Sequence, residues 1–186
     1  FSGTLSYLFN NFSAKDAPFS EILKEAIDNG YTEPDPREDL CGNDVGRKLL
    51  ILARELDLQN EFEEITIQNL IPEHLREGSV SEFLIKLKEF DPIYAKIKAE
   101  QKPNHVLRYI GELSGDLQHD KGVLEVKLVS VPSDTALGGL KGSDSFFEIY
   151  TESYGDRPIV IQGAGAGSAV TARGVFGDIL RLSDKG

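Results

Sequence analysis

Apolar residues recur at helical spacing through roughly the first hundred positions of the chain, and at alternate positions after that. Residues 1–12 are apolar behind a Ser-Gly-Thr entry and read as the start of a helix. Ser20 is placed to cap a second helix, in which Leu23, Ala26 and Ile27 keep the spacing up to the Asn29-Gly30 stop. Pro34 and Pro36 stiffen the loop that follows. Asn43 or Asp44 then opens a helix with Val45, Leu49, Leu50 and Leu52 as its buried stripe. Residues 62–70 alternate and predict a short strand, Ser79 to Phe90 predicts a helix, and Pro92 to Lys102 another. The period then falls to two, predicting strands at Val106–Gly111, Gly122–Val129, Ser145–Thr151 and Arg157–Gln162, before a final helix through Leu182. That order predicts an α+β fold, with helices on one face of a mostly antiparallel or mixed sheet.

Composition narrows the field. The chain has 186 residues, 40% hydrophobic and 27% charged, as in an ordinary globular domain with a real core. A net charge of −11 repels phosphate and sets nucleic acid aside as a partner. A single cysteine, Cys41, permits no internal disulfide, which fits a reducing compartment. No apolar run approaches the ~20 residues of a membrane helix, so no membrane is expected as a partner. His74, His105 and His119 lack metal-ligand spacing, and no metal site is expected.

Two stretches hold candidate chemistry. Between Glu33 and Lys48 lie Asp35, Arg37, Glu38, Asp39, Asp44 and Arg47. In a helix Asp44 and Lys48 stand at i and i+4 on one face, where the carboxylate orients the ammonium. Such a lysine donates to a substrate oxygen that gains negative charge. The same spacing also suits a solvated loop with a surface ion pair, or a carboxylate loop for a divalent cation that lacks the EF-hand pattern. The second stretch is Gly163-Ala164-Gly165-Ala166-Gly167, which lets backbone approach a phosphate or ring, or simply makes a tight strand–helix connection.

Three motifs together resemble a known family. Gly3-Thr-Leu-Ser-Tyr-Leu-Phe, the long run from Gly30-Tyr-Thr-Glu-Pro-Asp-Pro-Arg-Glu-Asp to Arg47-Lys48, and Arg157-Pro-Ile-Val-Ile-Gln-Gly-Ala-Gly-Ala-Gly are similar to homoserine dehydrogenases. The likeness is greatest to the end of bifunctional aspartokinase–homoserine dehydrogenases. It implies an oxidoreductase of threonine, methionine and isoleucine synthesis that interconverts aspartate 4-semialdehyde and L-homoserine with NADP or NAD. It implies Lys48 and Asp44 as catalytic residues, and Glu33, Asp39, Thr4, Tyr31 and Thr32 as substrate-binding residues. Gly163, Ala164, Gly165, Ala166 and Gly167 would approach the cofactor. Residues 1–160 would form the substrate-binding and dimerisation domain, and 161–186 would return to a nucleotide-binding domain. The Rossmann part, a second lysine and the ligands of a sodium site would lie upstream, so this chain alone is expected not to turn over. A homodimer in the cytoplasm, or in a plastid for a plant protein, is expected. The competing reading is a non-catalytic dimerisation or scaffold module.

Overall fold

In a computed structural model of the chain, residues 2–142, 144–164 and 168–183 are described. Helix α1 spans Gly3–Ala14, capped by Ser2, whose side chain accepts from the Leu5 amide. It buries Leu5, Leu8, Phe9 and Phe12 against α2, Phe19–Asp28, which contributes Phe19, Ile22, Leu23 and Ala26. Ser20 does not cap α2, which begins after Pro18. Instead the Ser20 amide and hydroxyl donate to the two oxygens of Asp91, both at 2.8 Å. A carboxylate distant in sequence thus satisfies one amide of this N-terminus, that of Ser20.

A one-turn helix α3, Arg37–Leu40, leads into α4, Asn43–Glu55. Gly42 joins them at φ +80°, pressed so closely on the sheet that a Cβ there would meet the Tyr109 hydroxyl. On α4, Val45 and Leu49 are buried as expected, but Leu52 is exposed and Ala53 takes its place. The predicted strand at 62–70 shrinks to β1, Thr66–Ile67, behind a 3-10 turn at Phe62–Glu64. The predicted 79–90 helix divides into α5, Val80–Ile85, and a 3-10 turn at Leu87–Phe90. Ser79 and Glu82 form a capping box at its start. Helix α6 covers Asp91–Ala99.

Strands β2, His105–Asp116, and β3, Lys121–Pro132, form an antiparallel hairpin registered from His105↔Pro132 to Asp116↔Lys121. Strand β1 lies parallel on the far side of β3, giving the order β1-β3-β2. Leu107, Leu124 and Val126 face the helices, as the period of two requires. The core between them holds a run of rings, with Phe19 and Tyr94 stacked at 3.8 Å and Phe12 edge-on to both. A separate antiparallel pair follows, β4, Asp144–Ile149, with β5, Ile159–Ala164. Helix α7, Ser168–Ser183, closes the chain with Val175, Phe176, Ile179 and Leu182 exposed. The molecule is therefore α+β with a mixed sheet, the expected class. No described helix is long and apolar enough to cross a membrane.

Candidate active site

Three elements bring the acidic candidates together. The N-terminal turn of α1 supplies Thr4, the irregular segment after α2 supplies Tyr31, Thr32 and Glu33, and α3 supplies Asp39. The Thr4 hydroxyl lies 2.6 Å from the Tyr31 carbonyl and 2.8 Å from Asp39 Oδ1. The Glu33 amide donates to Asp39 Oδ2 at 2.8 Å. Asp39 thus fastens the loop to α1. The Glu33 side chain is exposed and, among the described residues, makes no hydrogen bond or ion pair.

Stiffness in that loop comes from Asp35 and Arg37. The guanidinium grips both Asp35 oxygens, with its Nε 2.9 Å from Oδ1 and a terminal nitrogen 2.7 Å from Oδ2. That bond holds the Asp35 carboxyl below its ordinary value. Arg37 also donates to the Gly78 carbonyl at 3.0 Å and lies over the Phe83 ring. Asp35 and Arg37 are therefore structural rather than open to a ligand.

On α4, Lys48 Nζ is 2.6 Å from Asp44 Oδ2, the predicted i,i+4 pair. Asp44 sits in the first helical turn, where negative charge is favoured. Both side chains are nearly half exposed, so the pair adds only about 0.3–0.5 kcal/mol to stability. Asp39 is near enough to feel both Asp44 and Glu33. Burial pushes its carboxyl above the ordinary value, the bonds from Glu33 and Thr4 pull it back, and the neighbouring acids raise it further. Three carboxylates with one ammonium make a negative well beside a proton donor. Such a site suits an amino acid, with its ammonium on the acids and a reacting oxygen on the lysine.

The glycine stretch departs from expectation. Gly163 and Ala164 do not belong to a loop but end strand β5, paired with Ser145 and Asp144. Gly165, Ala166 and Gly167 lie outside the described residues. Among the described residues, a Cβ on Gly163 would meet nothing within 4 Å.

Two other residues escaped the sequence reading. Tyr7 stacks on Tyr31 with ring centres 4.6 Å apart, and its place three residues after Thr4 on one helix face was the available signal. Arg108 is buried, and it donates to the carbonyls of Leu137, Gly138 and Leu140. No local pattern announced it. A cavity of about 650 Å³ lies between α1, β2 and β4, and Lys48 is not in its lining. The described residues contain no group of three or more His, Cys, Asp or Glu side chains arranged to hold a metal.

Comparison with known proteins places the chain in a family. A family profile described as homoserine dehydrogenase matches residues 1–180. The chain is 47% identical over 185 residues to the chloroplastic bifunctional aspartokinase/homoserine dehydrogenase of Daucus carota, covering 98% of this chain and 20% of that protein. It is 43% identical over 197 residues to the homoserine dehydrogenase of Emericella nidulans, covering 100% of this chain and 52% of the fungal one. A crystal structure of a Candida auris protein of unknown function superimposes with a TM-score of 0.80 at 39% identity, over 99% of this chain and 52% of that one. The chain thus spans from a fifth to about half of the length of these relatives.

Proposed function

The chain belongs to the homoserine dehydrogenase family, and from that premise we propose that it supplies the substrate half of an enzyme interconverting L-homoserine and aspartate 4-semialdehyde with NADP or NAD. The observation that carries the reading is the convergence of Thr4, Glu33 and Asp39 beside the Asp44–Lys48 pair. The unpaired Glu33 carboxylate takes the substrate ammonium. Lys48 stabilises the negative charge that builds on the aldehyde oxygen during reduction and delivers the proton, and in oxidation it accepts that proton. Asp44 keeps the ammonium aimed. Asp39 lies near the hydroxyl end, and Thr4, Tyr31 and Thr32 line the pocket.

A bound nicotinamide would supply or accept the hydride. The end of β5 and the start of the 16-residue α7, whose first amides favour negative charge, would form this chain's side of its site. Residues 161–186 would pack against a nucleotide-binding domain, and the exposed Phe176, Ile179 and Leu182 of α7 support that.

The test is an NMR titration of the chain with L-homoserine, with Glu33→Ala and Lys48→Ala as controls. Saturable shifts that both substitutions weaken are expected. A folded chain that shows no shifts, or shifts indifferent to both, overturns the reading of this cluster as a preformed substrate site.

A second role, homodimerisation, is favoured by the outer face of the sheet. Val106, Ile110, Val129 and Val131 are only half-buried there and Val123 is exposed. Sedimentation equilibrium giving a monomer at all concentrations would exclude it.

A further inference from the structure

Residues 31–33 have no helix or strand to hold them, yet they carry the groups assigned to the substrate. Their backbone is tied at three points. The Tyr31 amide donates to the Ala26 carbonyl at 2.9 Å, the Tyr31 carbonyl accepts from Thr4, and the Glu33 amide donates to Asp39. These bonds fix the backbone path but leave the Tyr31 side chain, which is 47% exposed, free to turn. A ring swinging into the neighbouring space would obstruct the approach to Glu33.

Tyr7 removes that freedom. Its ring lies against Tyr31 at 4.6 Å with 29° between planes, an offset stack. Thr4 and Tyr7 stand three residues apart on α1, so one helix face holds both the carbonyl and the ring of the same residue. Tyr7 is itself half-buried and packs against the helical core, so its ring is held on that face.

We infer that Tyr7 is a positioning residue for the Tyr31–Glu33 segment. What the segment binds rests on the function proposed above; that Tyr7 holds it does not. The test uses the ¹⁵N-labelled 186-residue chain with Tyr7→Leu, Tyr7→Met and Tyr7→Phe. Tyr7→Leu should weaken L-homoserine binding by about three- to tenfold, the scale of one lost aromatic stack. It should also move the amide resonances of Tyr31, Thr32 and Glu33. Tyr7→Met should do the same. Tyr7→Phe keeps the ring and should retain most of the affinity, with the same amides close to their unsubstituted positions.

A folded Tyr7→Leu chain with unchanged affinity and unmoved amides at 31–33 overturns the inference. If Tyr7→Leu fails to fold, unmoved amides in a folded Tyr7→Met chain overturn it equally. If the unsubstituted chain does not bind homoserine, the functional reading fails. The amide shifts, which need no ligand, then still decide whether Tyr7 holds the segment.

Discussion

Replacing Asp39 by asparagine probes an imbalance built into the site. Thr4 Oγ1 lies 2.6 Å from one acceptor, the Tyr31 carbonyl, and 2.8 Å from another, Asp39 Oδ1. A hydroxyl has one proton, so with Asp39 ionised one of these contacts sets two acceptors face to face. With Asp39 protonated, a chain from Asp39 to Thr4 to Tyr31 satisfies every oxygen. Burial and the facing acids Glu33 and Asp44 push Asp39 in that direction. Asparagine supplies the missing donor permanently. Its amide nitrogen donates to Thr4 and its oxygen accepts from the Glu33 amide, with no charge near the other acids. Asp39→Asn should therefore be neutral or raise stability by about 0.5–1 kcal/mol at pH 7. Thr4→Val is nearly isosteric but removes the only shared donor from two part-buried acceptors, and should cost about 1–3 kcal/mol. In urea, with a slope of about 2 kcal/mol/M, the midpoint should stay or rise by about 0.5 M for the first. For the second it should fall by roughly 0.5–1.5 M. An Asp39→Asn loss as large as that of Thr4→Val would refute the reasoning, because it would mean the carboxylate is well served as an anion.

Other consequences follow from the same contacts. Because the native Asp39 carboxyl is raised, the folded state takes up its proton before the unfolded chain does. Stability should therefore increase as pH falls through the raised value towards the ordinary carboxylate range, and the urea-midpoint difference between the chain and Asp39→Asn should trace that rise. Gly42→Ala combines φ +80° with a Cβ placed on the Tyr109 hydroxyl, and thermal or urea unfolding should show a loss of about 2–3 kcal/mol. Arg108→Met strands the carbonyls of Leu137, Gly138 and Leu140, and the same assay should read a loss of about 3 kcal/mol. Hydrogen exchange should find α7 open far more often than α1, since its apolar side chains are exposed while those of α1 are buried.

What the sequence made legible is what local physics controls. Asp44 and Lys48 meet because about four residues make one helical turn. The alternation in β2 and β3 reports one buried face, so both strands could be read, although the hairpin runs longer at both ends than the apolar signal. The errors arise where a partner is distant in sequence. Ser20 has the composition of a cap, but Asp91, 71 residues away, satisfies the start of α2, and no spacing rule encodes that meeting. Gly163 and Ala164 have the composition of a loop, but pairing with Ser145 and Asp144 outweighs it.

The site divides along the same line. The proposed proton donor and its partner stand on a single helical turn of α4 and are visible at i,i+4. The proposed binding half is assembled by Thr4 reaching Tyr31 across 27 residues and Asp39 across 35, so only the resemblance to a known family pointed to it. This division also explains where sensitivity to mutation should fall. Lys48→Ala, which breaks a half-exposed pair, should cost less than about 1 kcal/mol of stability while weakening homoserine binding. Thr4→Val should impair both. A lysine substitution that unfolded the chain as readily as Thr4→Val would place Lys48 in the scaffold rather than in the chemistry.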